Sequence, residues 1–275
     1  MNPSTNSAVC PLCGANDHRL VVDGGAWRIR ACRVCTNAWT DPAPGHIPYD
    51  AKDFHSETQV NAAETETSLE QLPAPWRRAV RQQVALLRRH LPKGARILEV
   101  GCGAGILLQA MRDAGFEVVG LEPSHAATAR ARQRGLNVYQ GYFPSAELSA
   151  KEAPFAAVVM THVLEHIGTP LEVLRAVGAA APGGKLLLVQ TNWRGLVPRV
   201  RGRKWYAWVP DEHFWHFTPQ GLEHITRALG FAPVACEYSA LVPAGRTARW
   251  LSRVAQLAPR WRDQFHLLLQ LPVRP

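Results

Sequence analysis

The chain has 275 residues, of which 47% are hydrophobic, and a formal net charge of +9 at neutral pH. This length allows one substantial core plus a small appendage, and the sequence contains no apolar run of about 18 residues that would predict a membrane-spanning helix. Residues 1–7 are polar rather than signal-like, so a cytoplasmic protein is expected. The net positive charge is compatible with nucleic acid, anionic lipid or phosphorylated partners and does not distinguish among them.

Two cysteine pairs lie near the N-terminus, each with C-x-x-C spacing and with eighteen residues between the pairs. This spacing is typical of a structural Zn2+ site, whose ligation can stabilise a module with little apolar mass of its own. Arg19–Val22 and Ala26–Arg30 are predicted to form a hairpin between the pairs. We therefore predict a zinc ribbon over residues 1–40, with four ordinary thiols or two disulfides as the alternative. The expected zinc ligands are Cys10, Cys13, Cys32 and Cys35.

The other two cysteines, Cys102 and Cys236, lie in apolar segments and are expected to be buried core thiols. Such cysteine usage fits a reducing cytoplasm. Residues 41–74 are rich in Pro, Thr and Glu, and they are predicted to link the ribbon to a larger domain over residues 75–275.

Strands and helices alternate along this larger domain. The alternation predicts an α/β fold with a doubly wound parallel sheet. The predicted strands are Arg96–Val100, Glu117–Leu121, Asn137–Gln140, Phe155–Met160 and Lys185–Gln190, and the predicted helices are Pro75–His90, Gly105–Ala114, Ser124–Arg134, Pro170–Ala180 and Pro219–Leu229. Two closing strands, Phe231–Tyr238 and Phe265–Leu271, flank a basic amphipathic helix over Gly245–Ala258. That helix is expected either to pack on the closing strands or to touch a membrane surface.

The most informative segment is residues 97–105, Ile-Leu-Glu-Val-Gly-Cys-Gly-Ala-Gly. A buried strand followed by a glycine turn and a helix builds a ligand cradle, because glycines let the backbone approach a ligand and a helix N-terminus offers N–H groups. The dinucleotide-binding pattern requires a further glycine where this chain has Ile106. A cradle is therefore predicted, and a pyrophosphate-binding version of it is disfavoured.

Three further segments contain residues with functional chemistry. Glu122 ends the second strand, where a carboxylate can accept hydrogen bonds from both hydroxyls of a ribose; a solvated helix-cap acid is the alternative.

Residues 161–166 read Thr-His-Val-Leu-Glu-His directly after the fourth strand. His162 and His166 could share a helix face and ligate a metal, but no third ligand is evident, so a turn at the carboxyl end of the sheet is the simpler interpretation.

The third segment, residues 191–217, is dense in aromatic and basic side chains. An insert of this length is usually functional. It is expected to cover a pocket, stack a planar substrate or contact a membrane, with a locally packed cap as the alternative. His213 and His216 within it are candidate bases near neutral pH.

Together these segments resemble the class I S-adenosylmethionine-dependent methyltransferases over roughly residues 75–271. The resemblance rests on the glycine turn 99–105, the acidic strand end Gly120-Leu-Glu122, the stretch Val163-Leu-Glu-His166, the turn Ala181-Pro-Gly-Gly184, and the block Glu212-His-Phe-Trp-His-Phe-Thr-Pro219. It implies a Rossmann-like seven-stranded sheet whose last strand is antiparallel, and Phe265–Leu271 could supply that strand.

The resemblance also implies which residues bind S-adenosylmethionine. Tyr142 stands where the family often has an acidic residue, so stacking on adenine is expected there, and Ala156 replaces an aspartate that often follows Phe155. The implied residues are Glu99, Gly101, Cys102, Gly103 and Gly105 at the methionine end, Glu122 and Pro123 at the ribose, Tyr142 and Phe143 at the adenine, and Met160, Thr161 and His162 near the sulfonium.

The expected reaction is methylation on O, N or C of a small-molecule, sugar or lipid-linked acceptor. The resemblance implies an already activated methyl group, so the enzyme mainly aligns the acceptor, and a base is needed only for some acceptors. The candidate bases are His166, His213 and His216. The alternatives are an RNA methyltransferase that grips RNA through the ribbon, and a non-catalytic adapter that keeps the fold to bind a partner. A dehydrogenase is disfavoured by Ile106. The oligomeric state is not predicted.

Overall fold

The computed structural model describes residues 9–45, 68–240, 254 and 257–273, without the side chains of residues 149 and 150. Most of the helix predicted over Gly245–Ala258, and residues 46–67 of the predicted linker, lie outside the described residues. The predicted domain limits 1–40, 41–74 and 75–275 therefore stay predictions. None of the described helices is both long and apolar enough to cross a bilayer.

A seven-stranded sheet and a four-stranded sheet contain the described strands. In chain order these strands are β1 (His18–Asp23), β2 (Arg28–Cys32), β3 (Ala38–Asp41), β4 (Arg96–Val100), β5 (Glu117–Glu122), β6 (Val138–Gln140), β7 (Ala157–Thr161), β8 (Lys185–Thr191), β9 (Trp215–His216), β10 (Ala232–Ser239) and β11 (Gln264–Gln270). The described helices are α1 (Ala74–His90), α2 (Ile106–Asp113), α3 (His125–Gln133), α4 (Ala146–Glu152), α5 (Pro170–Ala180), α6 (Leu196–Arg201) and α7 (Pro219–Arg227).

The larger sheet has the order β10-β11-β8-β7-β4-β5-β6. Strands β4 and β5 pair in parallel, as do β4 with β7 and β5 with β6. At the other side, Leu271 N donates to Gly184 O and Asn192 N donates to Asp263 O, so β11 runs antiparallel to β8. The predicted seven-stranded, Rossmann-like sheet with an antiparallel closing strand is confirmed.

Local sequence signals explain several of the helix ends. Helix α1 has Pro75 in its first turn, where the missing backbone N–H is not needed, and it buries Leu86 and Leu87 on one face. Ser124 caps α3 by accepting a hydrogen bond from Ala127 N, and Thr218 caps α7 by accepting one from Gly221 N. Helices α4 and α6 were not predicted from the sequence.

The four-stranded sheet has the order β1-β2-β3-β9. The hairpin of β1 and β2 confirms the predicted ribbon hairpin, although both strands end later than predicted. Strand β3 pairs antiparallel with β9, through Ala38 with His216 and Trp39 with Trp215. The ribbon sheet is therefore completed by a strand from the aromatic insert, a pairing that the sequence did not predict.

Aromatic side chains of the insert form a hydrophobic cluster with the ribbon. Trp193, Trp205 and Trp208 are buried together with Ile29 and Ala38, which lie on the ribbon strands. Burial of these rings supports the interpretation of the insert as a packed cap, because buried rings are not available to stack on a substrate or enter a membrane surface. The insert thus supplies the apolar mass that the ribbon lacks.

The chain divides into two compact units. One, here called the ribbon unit, comprises Met1–Ile47, His162–Arg175 and Val189–Leu269. The other, the cradle unit, comprises Pro48–Thr161, Ala176–Leu188 and Gln270–Pro275.

One cysteine differs from its prediction. Cys102 is buried as expected, but Cys236 is exposed on β10. The reason is topological, because β10 is an edge strand of the larger sheet and most of its residues are exposed or half-buried. An apolar strand segment predicts burial only where other elements cover both faces.

Candidate functional site

The four N-terminal cysteines converge in the ribbon unit. Their sulfur atoms all lie within 4.8 Å of one another. Cys10 Sγ is 3.8 Å from Cys35 Sγ, and Cys13 Sγ is 3.6 Å from Cys32 Sγ. Tetrahedral sulfurs bonded to one Zn2+ at about 2.3 Å lie about 3.8 Å apart. Thiolate chemistry and sulfur spacing therefore both fit the predicted structural zinc.

The glycine turn lies in the cradle unit between β4 and α2. Gly101, Gly103 and Gly105 all have positive φ, of 69°, 53° and 83°. Gly103 N donates to the Glu122 carboxylate at 2.9 Å. A Cβ on Gly105 would lie 2.4 Å from a methyl group of Leu136, so this glycine also permits close packing below the turn. The predicted strand, turn and helix are thus present, with left-handed backbone that favours glycine.

Glu122 is held at the turn rather than in bulk water. Its Oε1 accepts a hydrogen bond from Ser124 N at 2.8 Å, and its Oε2 accepts the bond from Gly103. The side chain is only 4% exposed. The carboxylate that was predicted to hold a ribose therefore also fixes the conformation of the turn.

Glu99 is the second buried acid of the cradle unit. It is 3% exposed, and its Oε2 has no hydrogen-bond partner among the described residues. Burial, followed by the negative charge of Glu122, raises the pKa of Glu99 well above its ordinary value. A buried pair of acids with an orphaned oxygen favours a ligand that brings hydroxyl or ammonium donors. An adenosyl cofactor with a ribose and an amino group has both kinds of donor.

The other predicted cofactor residues of the cradle unit occupy strand ends and loops. Cys102 is buried within the turn, and Pro123 directly follows β5. Tyr142 and Phe143 follow β6, and Tyr142 is 48% exposed. Met160 is fully buried at the end of β7.

Thr161 ends β7, and its hydroxyl is 3.4 Å from the side-chain oxygen of Gln83 on α1. Gln83 is a buried polar residue that sequence reasoning missed, since it lies inside an otherwise ordinary amphipathic helix.

His162 directly follows β7, belongs to the ribbon unit and has an unusual backbone conformation. Its φ is +53°, a left-handed value that non-glycine residues rarely adopt. Such strain is commonly found at functional positions. Residues 164–166 form a single 3-10 turn rather than an α-helix, so the simpler interpretation of this stretch as a turn is confirmed.

The three histidines predicted as candidate bases lie in one cluster of the ribbon unit. The ring centroids of His166 and His213 are 4.6 Å apart, and those of His213 and His216 are 6.0 Å apart. His216 is almost fully buried, with Nε2 3.2 Å from the hydroxyl of Thr40 on β3. Thr40 also donates to His213 O at 2.6 Å. Thr40 was missed because an isolated threonine in a short strand has no sequence signal.

Burial controls the protonation of this cluster. It lowers the pKa of His166 to about 3, with the nearby charge of His213 acting in the same direction. It also lowers the pKa of His213 and of His216. For Glu165, burial alone would raise the pKa, but His162 and the neighbouring histidines lower it to about 2. At neutral pH the carboxylate is therefore ionised and these three imidazoles are neutral.

A buried histidine outside this cluster leads to a pH-dependent prediction. His266 on β11 is fully buried beside the hydroxyl of Ser239, and burial followed by the charge of His162 lowers its pKa to about 3. An unfolded histidine titrates near pH 6.5, so between pH 6.5 and 3 the unfolded chain binds a proton that the folded chain does not. The free energy of unfolding therefore falls as the pH drops through 6.5. His266 alone contributes a loss of about 2 kcal/mol between pH 7 and pH 5.

Urea unfolding at pH 7 and pH 5 measures this loss. We expect His266→Gln to remove about 2 kcal/mol of the pH dependence, and His224→Asn, at an exposed histidine, serves as the control variant. An unchanged pH dependence in His266→Gln would show that this histidine is not kept neutral by folding.

Comparison with known proteins identifies the class of fold. The 1,6-didemethyltoxoflavin-N1-methyltransferase of Burkholderia thailandensis, solved with S-adenosylhomocysteine, superposes with a TM-score of 0.55 at 18% identity, over 92% of this chain and 99% of that one. A Haloferax volcanii methyltransferase solved in complex with the Trm112 activator gives a TM-score of 0.57 at 18% identity, over 71% of this chain and 89% of that one. The fold is that of the class I methyltransferases.

The sequence comparisons define the family. Residues 69–235, more than half of the chain, match the family model described as a methyltransferase domain, and the chain belongs to that family. The ubiquinone biosynthesis O-methyltransferase of Cereibacter sphaeroides is 31% identical over 153 residues, which are 52% of this chain and 62% of the relative. Its counterpart in Xanthomonas campestris pv. campestris is 33% identical over 184 residues, which are 65% and 68%. The chain thus spans less than two thirds of the Cereibacter relative.

Proposed function

We propose that this protein is an S-adenosylmethionine-dependent methyltransferase acting on a small-molecule acceptor. The observation that carries the proposal is the buried acid pair Glu99 and Glu122 at a glycine turn whose backbone N–H is bonded to Glu122. Membership of the methyltransferase domain family supports it. The curated relatives are named for O-methylation in ubiquinone biosynthesis, which favours oxygen as the accepting atom.

Each of the predicted cofactor-binding residues has a role in this proposal. Glu122 would accept the ribose hydroxyls, and Glu99 and the turn 101–105 would hold the methionine end, where the orphaned Glu99 oxygen can accept a donor. The exposed ring of Tyr142, beside Phe143, would stack on the adenine. Met160, Thr161 and His162 remain predictions for the sulfonium end. S-adenosylmethionine, when bound, supplies a methyl group that is already activated, so alignment of the acceptor is the main requirement.

Acceptor deprotonation is the least specified step. A hydroxyl acceptor needs a base, and the neutral imidazoles of His166 and His213 can accept a proton at pH 7. The low pKa of His166, about 3, makes it a weak base. His216 is 1% exposed and bonded to Thr40, which makes it the least accessible of the three. These assignments remain part of the proposal.

The RNA alternative gains no support from the ribbon charges. Arg30 pairs with Asp41 at 2.6 Å, and Arg33 lies 3.5 Å from Asp17. Two of the ribbon arginines are therefore already compensated by acids, which reduces their value for phosphate binding. A small-molecule acceptor is the better-supported substrate class.

Transfer of a labelled methyl group tests the proposal. The protein is incubated with methyl-labelled S-adenosylmethionine and either a small-molecule and lipid extract or total RNA. We expect label in the extract, loss of that label in Glu122→Ala, and wild-type transfer in the matched control Glu117→Ala, which changes an exposed acid at the start of the same strand. Label only in RNA would favour the RNA alternative, and cofactor binding without any transfer would favour the adapter.

A further inference from the structure

Three side chains outside the cysteine cluster converge in the ribbon unit. One carboxylate oxygen of Glu165 and one ring nitrogen each of His166 and His213 lie within 4.8 Å of one another. Glu165 is 2% exposed and His213 is 9% exposed. Sequence reasoning disfavoured a metal at residues 162–166 because it found no third ligand. The fold supplies that ligand from His213, 47 residues after His166.

The hydrogen bonds of both imidazoles are those of metal ligands. His213 Nδ1 lies 3.1 Å from the carbonyl oxygen of Ala207. A carbonyl only accepts, so Nδ1 donates, and Nε2 of the neutral ring is left with a lone pair. The His166 ring likewise hydrogen-bonds with the backbone of Glu212. A metal-binding histidine typically uses one ring nitrogen on a carbonyl and the other on the ion.

Glu165 adds a buried negative charge that lacks sufficient donors. His162 Nδ1 lies 3.3 Å from its Oε1, but Oε2 has no hydrogen-bond donor among the residues that the structure describes. Burial of a carboxylate oxygen without a donor is costly, and a cation removes that cost. The carboxylate and the two imidazole lone pairs form a set of acceptors facing one another.

Backbone contacts hold the two ligand-bearing segments together. Phe214 N donates to Glu165 O at 2.8 Å, and Trp215 Nε1 donates to Ile167 O at 2.8 Å. Each bond joins the 3-10 turn 164–166 or its neighbour to the end of the aromatic insert. The fold therefore holds together the two backbone segments that carry the ligands before any ion binds.

We propose that Glu165, His166 and His213 form a largely buried site for a divalent first-row transition-metal ion. One carboxylate and two imidazoles suit Zn2+, Co2+, Mn2+ or Fe2+ and leave coordination positions for water or another ligand. Donor atoms around one such ion lie about 3–4 Å apart, so an ion bound by all three groups would draw together ligand atoms that now lie within 4.8 Å of one another. The site is separate from the cysteine cluster, and an ion bound there would occupy the ring nitrogens of His166 and His213 that are proposed above as candidate bases.

Metal content of the full-length protein tests this site. Elemental analysis after dialysis against Zn2+ is expected to give two ions per chain in the wild type, and one in Glu165→Gln and in His213→Asn. The control His224→Asn, an exposed histidine of the same unit, should keep two. Affinity for S-adenosylmethionine is measured in parallel, which separates failure of this proposal from failure of the proposed function.

Cobalt titration of the metal-free wild type separates the two sites without any substitution. Co2+ bound by four thiolates shows intense sulfur charge-transfer absorption, whereas a carboxylate and imidazole site shows only weaker visible bands. We expect a second equivalent to add the weaker bands alone. Saturation at one equivalent with thiolate absorption only, together with one zinc per wild-type chain, would overturn the proposal. This result would remain decisive even if the variants failed to fold.

Discussion

Substitution of Gly103 by valine is expected to weaken S-adenosylmethionine binding by at least about 100-fold, a loss of roughly 2.7 kcal/mol. Gly103 has φ of +53°, and its N–H donates to Glu122 at 2.9 Å. A valine resists this left-handed backbone and places a branched side chain on the surface that the ligand must approach. Both effects act on the turn that positions Glu122. Isothermal titration calorimetry with S-adenosylmethionine measures the change.

The chain offers a matched control for backbone strain. Gly94, in the turn between α1 and β4, has φ of +76°, and a Cβ there would meet no atom within 4 Å. Gly94→Val therefore has a comparable left-handed strain of about 1–2 kcal/mol but leaves the glycine turn unchanged. We expect its affinity to stay within about twofold of wild type, or 0.4 kcal/mol. If Gly103→Val and Gly94→Val bound S-adenosylmethionine with equal affinity, the glycine turn would not be part of the cofactor site.

The cysteine ribbon, the strand–helix order and the glycine turn were predictable because each is encoded by a short stretch of sequence. Two C-x-x-C pairs place four thiolates on two short turns, and the sulfur distances of 3.6 and 3.8 Å agree with the ribbon that this spacing predicts. The alternation of strands and helices predicted the parallel part of the sheet, since each strand–helix unit has its own periodicity. The resemblance to the methyltransferases implied the seven strands and the antiparallel closing strand. The glycine turn of residues 97–105 and Glu122 could be assigned to one ligand site because adjacent parallel strands bring their carboxyl ends together.

Long-range pairing was not predictable. Strand β9 has two residues, Trp215 and His216, too few to show any periodicity, yet it completes the ribbon sheet against β3. The composition of the insert could not decide between an exposed and a packed surface, and only the burial of Trp205 and Trp208 in one hydrophobic cluster with the ribbon residue Ile29 decides it. The same limit hid the approach of His213 to Glu165. A side chain's chemistry is local, but its neighbours depend on tertiary structure.

The second large effect is expected where the ribbon meets helix α7. Gly221 lies in the first turn of α7, and a Cβ there would lie 1.9 Å from Asn37 Oδ1 and 2.7 Å from the carbonyl oxygen of Cys35. Helix propensity alone predicts that Gly221→Ala is stabilising, by about 1 kcal/mol. We expect the opposite, a loss of about 2–3 kcal/mol in the free energy of unfolding, because a buried backbone carbonyl cannot move aside cheaply.

Zinc retention should change together with stability. Cys35 is one of the four converging thiols, so displacing its carbonyl moves one side of the proposed zinc site. We expect Gly221→Ala to release zinc to a competing chelator at lower chelator concentration than wild type. Gly45→Ala, in the same unit with open space around the added Cβ, should behave as wild type in both assays.

The double variant Asn37→Ala/Gly221→Ala tests whether the clash with Asn37 causes the loss of stability in Gly221→Ala. Asn37 is fully buried, and its Oδ1 accepts a hydrogen bond from Thr218 N at 3.3 Å. Asn37→Ala alone loses that bond, at a cost of about 1–3 kcal/mol for the donor left unsatisfied. In the double variant the new methyl group no longer meets Oδ1, so the combined loss should be smaller than the sum of the two single losses. Strict additivity would place the effect of Gly221→Ala elsewhere, and wild-type stability of Gly221→Ala would show that the ribbon does not pack tightly on α7.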